Sequence, residues 1–150
     1  MKKIILAIIA VMVPLMLSAG STDFWFRHFS VEDGLSSSAV RAIMQDKYGF
    51  MWLGTDDGLN RYDGTTIKIY RLNPEGINDY ISFLYDTADR IWIGTGDGVY
   101  IYDYETENFE PFKLLTAKGD SIKTNVNHIA EDRDGNLWFS TVGQGIFKYN

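Results

Sequence analysis

Asp132-Arg133-Asp134-Gly135-Asn136 is the segment of this 150-residue chain nearest to metal chemistry, with three oxygen-bearing side chains around one glycine. A calcium loop of the EF-hand type places its glycine sixth and a glutamate twelfth. Here the glycine is fourth, so the segment reads as a tight turn and no metal site is expected. Ser36-Ser37-Ser38 reads as a loop before a strand and not as a nucleophile site, and His28 and His128 have no ligand-spaced partner. A phosphate-cradling loop and a paired-carboxylate signature are also missing from the sequence. No catalytic residue and no cofactor are therefore expected. What remains is binding chemistry. Arg41, Asp56, Asp57, Asn60 and Arg61 are polar residues near strand ends, and they are the candidate ligand contacts.

The elements that would position them repeat. Trp52-Leu-Gly-Thr-Asp-Asp-Gly58 returns as Trp92-Ile-Gly-Thr-Gly-Asp-Gly98, and more loosely as Trp138-Phe-Ser-Thr-Val-Gly-Gln-Gly145. The tryptophans are 40 and 46 residues apart, a period that signals a repeat architecture. Upstream of each lies an apolar run ending in Asp46, Asp86 or Asp132, six residues before the tryptophan. Gly49 and Gly135 stand three residues after the first and third of these aspartates, which makes a turn with a mechanism. The aspartate caps its own backbone and the glycine accepts positive φ. Asp89 takes the glycine's place in the second copy.

Each copy reads as short strands rich in β-branched and aromatic residues. They are expected at 40–44, 51–55, 59–62 and 66–70; at 81–85, 91–95, 99–102 and 109–113; and at 126–130, 137–141 and 146–149. Four antiparallel strands in about 40–50 residues make the blade of a β-propeller. The fold class is therefore all-β, with about three blades of an incomplete propeller. The repeats divide as 40–80, 81–125 and a truncated 126–150, preceded at 21–39 by a strand and loop. Phe24–Phe29 alternates like a fourth strand and is expected to close the ring. Propellers have about four to eight blades, so the chain is expected to be a piece of a longer protein. Trp52, Trp92 and Trp138 should pack between blades. Gly54, Gly58, Gly94 and Gly98 should serve turns and close packing, and Tyr62, Tyr102 and Tyr149 should bury their rings at blade edges. Trp25 and Phe26 lie outside the repeat, and one of them is a candidate for a solvent or partner contact.

Residues 1–20 have the pattern of a secretory signal peptide: Lys2-Lys3, the apolar Ile4–Leu17, then Ser18-Ala19-Gly20. The apolar stretch is too short for a membrane span, and no second one occurs within 21–150. Cysteine is absent, which fits a periplasmic location better than a disulfide-stapled secreted domain. Past residue 20 the chain carries 12 basic and 20 acidic residues, a formal charge of −8. That balance disfavours nucleic acid and anionic membranes as partners and leaves neutral ligands and proteins.

The repeat also resembles a known family. Gly34-Leu35-Ser-Ser-Ser-Ala-Val40, Ile43-Met44-Gln45-Asp46, Gly49, Trp52-Leu-Gly-Thr55, Gly58-Leu59 and Tyr62-Asp63-Gly64 closely resemble the two-component regulator propeller repeat. So does Phe29-Ser-Val-Glu-Asp-Gly-Leu35. The Asp box of sialidase-like propellers does not fit, because Lys47 and Arg133 stand where its aspartate would be. The resemblance implies the periplasmic sensor region of a hybrid histidine kinase, detecting oligosaccharides and controlling polysaccharide-use genes. It implies a non-enzymatic segment whose partners are further blades or a second subunit. The alternatives are a protein-interaction scaffold without a small ligand and a piece of a propeller lyase or glycosidase.

Overall fold

The computed structural model describes residues 24–72, 79–87, 89–113 and 122–150. The segment with signal-peptide pattern lies outside them. Eleven strands are seen among the described residues, in three antiparallel sheets. The first sheet runs in chain order through β1 (Val40–Gln45), β2 (Met51–Thr55), β3 (Gly58–Tyr62) and β4 (Ile67–Tyr70). The second holds β5 (Ile81–Asp86), β6 (Arg90–Thr95), β7 (Gly98–Asp103) and β8 (Asn108–Phe112). The third holds β9 (Val126–Glu131), β10 (Leu137–Thr141) and β11 (Gly145–Tyr149). These are propeller blades, and their first strands lie together: β5 packs on β1 and β9.

The Trp-x-Gly-Thr motif explains how a blade closes and stacks. Its threonine pins the hairpin between the second and third strands. Thr55, Thr95 and Thr141 each donate through Oγ1 to the carbonyl of Gly58, Gly98 and Gly145, at 2.9, 3.1 and 2.8 Å. Its glycine admits the next blade. A Cβ on Gly54 would stand 2.6 Å from Cγ2 of Ile81, and one on Gly94 would stand 2.8 Å from the carbonyl oxygen of Val126. Ser140 fills the corresponding place in the third blade, beyond which no further blade lies among the described residues.

This stacking makes two aromatic cores. Trp52, Leu59, Leu84, Ile91, Ile93 and Tyr102 seal the first blade to the second. Trp92, Val99, Val126, Ile129, Leu137 and Phe139 seal the second to the third. Trp52 is 0% and Trp92 3% exposed, whereas Trp138 is 40% exposed. Tyr102 is likewise buried, Tyr62 half-buried, and Tyr149 exposed.

The N-terminal segment differs from the expectation of a strand. Residues 24–30 are irregular, and Trp25 is 93% exposed. A strand persists where a neighbour supplies its hydrogen-bond ladder, and these residues pair with none of the three sheets. The chain docks from Phe29 onward, whose ring packs edge-on against Tyr62 with centroids 5.1 Å apart. Ser30 caps a short 3-10 turn at Val31–Asp33, Leu35 is buried, and the amide of Ser36 donates to Oδ1 of Asn60 at 2.9 Å.

Candidate functional site: a loop face and the interblade grooves

The five candidate contacts separate into three places. Arg41, Asp56 and Asp57 share one end of the blades. Arg41 is the extra residue of a β-bulge, because Val40 pairs with Thr55 and Ala42 with Gly54. Bulges re-aim side chains, and equivalent register shifts occur in β5 and β9. Arg41 grips Asp56 with two hydrogen bonds of 2.6 and 3.0 Å, and its guanidinium lies 5.8 Å from the centroid of Tyr80. That contact holds the Asp56 carboxyl below, and the Arg41 guanidinium above, their ordinary ranges. Asp57 is paired with Arg71 at 2.7 Å. All four charged groups are well solvated, so water screens both pairs and they add little to stability.

Asn60 is interior. It is fully buried, accepts from the amide of Ser36, and donates through Nδ2 to Oγ of Ser36 at 2.8 Å and to the carbonyl of Leu53 at 3.2 Å. Its polar atoms tie the N-terminal segment to the first blade.

Arg61 emerges at the opposite end of β3. Its guanidinium lies over the rings of Phe50, Trp52 and Tyr70 at 4.6, 5.7 and 5.8 Å. It borders a groove of about 340 Å³ between the first two blades, which Asp46, Tyr48, Phe50, Tyr102, Tyr104 and Glu107 also line. Asp46 forms the groove's structural end. Its Oδ1 accepts from the amides of Tyr48 and Phe50, both at 2.9 Å, and its Oδ2 from the indole of Trp52 at 2.7 Å. Tyr104 donates to Asp86 at 2.8 Å and packs edge-on against Tyr48. Burial, then the Asp86 contact, pushes the Tyr104 hydroxyl above its ordinary range, which keeps it a donor. Tyr48, Tyr104 and Glu107 were not among the sequence-derived candidates. They sit in turns, where no repeat signal marks them.

The matching groove between the second and third blades is lined by Thr87, Asp89, Arg90, Trp92, Glu131 and Tyr149. There the indole N–H of Trp92 has no hydrogen-bond partner among the described residues. Asp132 performs in the third blade what Asp46 performs in the first. It accepts from the amides of Asp134 and Asn136, from the Asn136 side chain and from the indole of Trp138, at 2.8–3.0 Å. The calcium-loop look-alike is thus a tryptophan-holding turn. His128 packs on Phe83, with centroids 4.2 Å apart.

Blades, Trp-x-Gly-Thr hairpins and aspartate turns together have a counterpart among known repeats. The family described as two component regulator propeller matches residues 34–57 and 121–143. Those two stretches carry the two component regulator propeller repeat. Histidine kinase P4 of Formosa agariphila is 56% identical over 59 residues, which are 39% of this chain and 4% of that protein. A crystallised extracellular domain from B. thetaiotaomicron, ascribed to a hybrid two component system, superposes with a TM-score of 0.71 at 32% identity. That match covers 81% of this chain and 18% of the domain. A second such domain from the same organism gives 0.63 at 25% identity, covering 85% and 19%. A streptogramin B lyase shares the fold alone, at 17% identity with a TM-score of 0.53. These propeller repeats therefore span a small part of the proteins they match.

Proposed function

We propose that these propeller repeats form the front of a periplasmic ligand-sensing domain in a hybrid two-component regulator. The domain detects oligosaccharides and controls genes for polysaccharide use. The observation that carries this reading is the 32% identity, over 81% of the chain, to an extracellular domain of a hybrid two component system. The signal-peptide pattern of residues 1–20 supports export, and the surplus of acidic residues suits a neutral ligand. No helix among the described residues is long and apolar enough to cross a membrane.

In this reading the segment binds and does not catalyse. Ligand bound on the loop face or between blades favours one arrangement of the propeller with its remaining blades or a second subunit. A kinase elsewhere in the protein responds to that population shift. The test is thermal unfolding of the full periplasmic region with a panel of oligosaccharides. A ligand at about 100 times its Kd stabilises the folded state by about 2.7 kcal/mol, whereas an interaction scaffold without a small ligand shows no shift. Induction of a polysaccharide-use reporter by the same sugar completes the test. A sugar that stabilises the protein but leaves the reporter silent would refute the regulatory half.

A further inference from the structure

The groove between the first two blades carries chemistry that the fold does not use. The guanidinium of Arg61 rests on three rings, yet it makes no hydrogen bond or ion pair among the described residues. The carboxylate of Glu107 lines the same groove and is likewise without a hydrogen bond or ion pair among them. Tyr48 is 63% exposed and set edge-on to Tyr104, and the ammonium of Lys47 lies 5.1 Å from the centroid of the Tyr48 ring and 4.3 Å from that of Tyr104.

Glu107 also holds an unfavourable backbone. It is the only non-glycine residue with positive φ among the described residues, at 52°. Such a position suits glycine or asparagine, and a residue held there against preference often belongs to a binding site. The hairpin that presents it runs one strand pair further than its counterpart. Tyr62 pairs with Ile67 in the first blade, but Tyr102 pairs with Phe109 in the second, two residues further on. The added pair, Asp103 with Asn108, carries the turn holding Tyr104 and Glu107 outward to the groove.

We propose that this groove is a saccharide subsite, in which Arg61 and Glu107 take the hydroxyls of one neutral sugar ring and Tyr48 takes its C–H face. This assignment rests on the sensor reading above and names the place of recognition within it. The groups select the ligand class by charge and shape. A carboxylate-bearing ligand would meet Glu107, and a cation would meet Arg61 and the Lys47 ammonium at the aromatic wall. A neutral ring with adjacent hydroxyls satisfies both, because the planar guanidinium donates to two neighbouring oxygens and the carboxylate accepts from two neighbouring hydroxyls. The flat aromatic face suits the apolar side of such a ring.

The experiment is titration of the full chain with neutral oligosaccharides of gluco, galacto and manno configuration. Digalacturonic acid serves as the acidic counterpart, and Kd and Tm are both read. A neutral sugar should bind, and digalacturonic acid should bind more weakly. Arg61→Lys keeps the charge but loses the fork, and it should weaken binding about tenfold. Glu107→Gly relieves the backbone and should weaken binding about tenfold while Tm holds or rises. That opposition separates a ligand contact from a residue needed for folding. Arg133→Ala, at an exposed position in the third blade's turn, should leave Kd unchanged. If a sugar binds and both groove variants bind it as tightly as the native chain, the subsite is wrong and the sensor reading stands. If no sugar binds the native chain, both fall.

Discussion

The first and second blades carry the same aspartate six residues before the same tryptophan, and they use it differently. In the first, Asp46 organises its own turn and holds the indole of Trp52 at 2.7 Å. In the second, Asp86 faces the neighbouring blade. It accepts from the hydroxyl of Tyr104 and, at 3.2 Å, from the amide of Lys47 in the first blade's turn. The indole of Trp92 is left without a partner among the described residues. The difference lies in the turn. Gly49 and Gly135 adopt φ of 90° and 81°, which lets the aspartate collect the amides beyond it. Asp89 replaces that glycine and instead pairs with Arg90 at 2.6 Å. One aspartate serves stability within a blade, and the other serves a link between blades.

The largest expected effect comes from removing the two aspartates. Asp46→Ala strands a buried indole N–H and two turn amides, each of which loses a charged acceptor. It should cost about 2–4 kcal/mol, chiefly for the buried indole at about 1–3 kcal/mol, with the part-buried amides adding less. Asp86→Ala strands only a tyrosine hydroxyl and one amide at the half-open groove, and should cost about 1 kcal/mol. Urea midpoints of the two variants measure this directly. Equal losses would mean that both aspartates have one role.

A smaller contrast is expected at the tryptophans. Trp52→Phe leaves the Asp46 carboxylate without its indole donor in a site that is fully buried, so the lost hydrogen bond adds to the lost volume. About 2–3 kcal/mol is expected. Trp92→Phe removes a donor that satisfies nothing and should cost about 1 kcal/mol, for volume alone. If Trp92→Phe is the worse of the two, an acceptor for its indole lies outside the described residues.

The repeat made most of the architecture legible. Period, alternation and the Trp-x-Gly-Thr motif each depend on local chemistry that recurs, so the blades and their tight turns could be placed from residue types. The candidate contacts were less legible. Asn60 looks like a loop residue by polarity, but it is buried because the N-terminal segment folds over it. Arg61 stood out by polarity alone, and its surroundings come from Tyr48 in one turn and from Tyr104 and Glu107 in another. No spacing within the chain marks residues that meet only when blades stack. The segment at Phe24–Phe29 is irregular for a related reason, since alternation states that a strand could form and not what would pair with it, and no closing blade lies among the described residues.

The third blade supplies the most delicate test, because its aspartate repeats the first blade's arrangement at an exposed site. The Asp132 carboxyl is held well below the ordinary range, chiefly by the indole N–H of Trp138, then by the side chain and amide of Asn136 and the amide of Asp134. A depressed folded-state value stabilises the fold above the unfolded value, near pH 3.9. That contribution declines as pH falls below about 4 and vanishes once the folded carboxyl protonates. Asp132→Asn cannot titrate, so its urea midpoint should fall less steeply between pH 4 and pH 2 than that of the native chain. The gap between the two should narrow steadily down to pH 2. Parallel acid limbs would show that Asp132 holds Trp138 by geometry alone, and the shared role of Asp46 and Asp132 would then be steric, with charge playing no part in it.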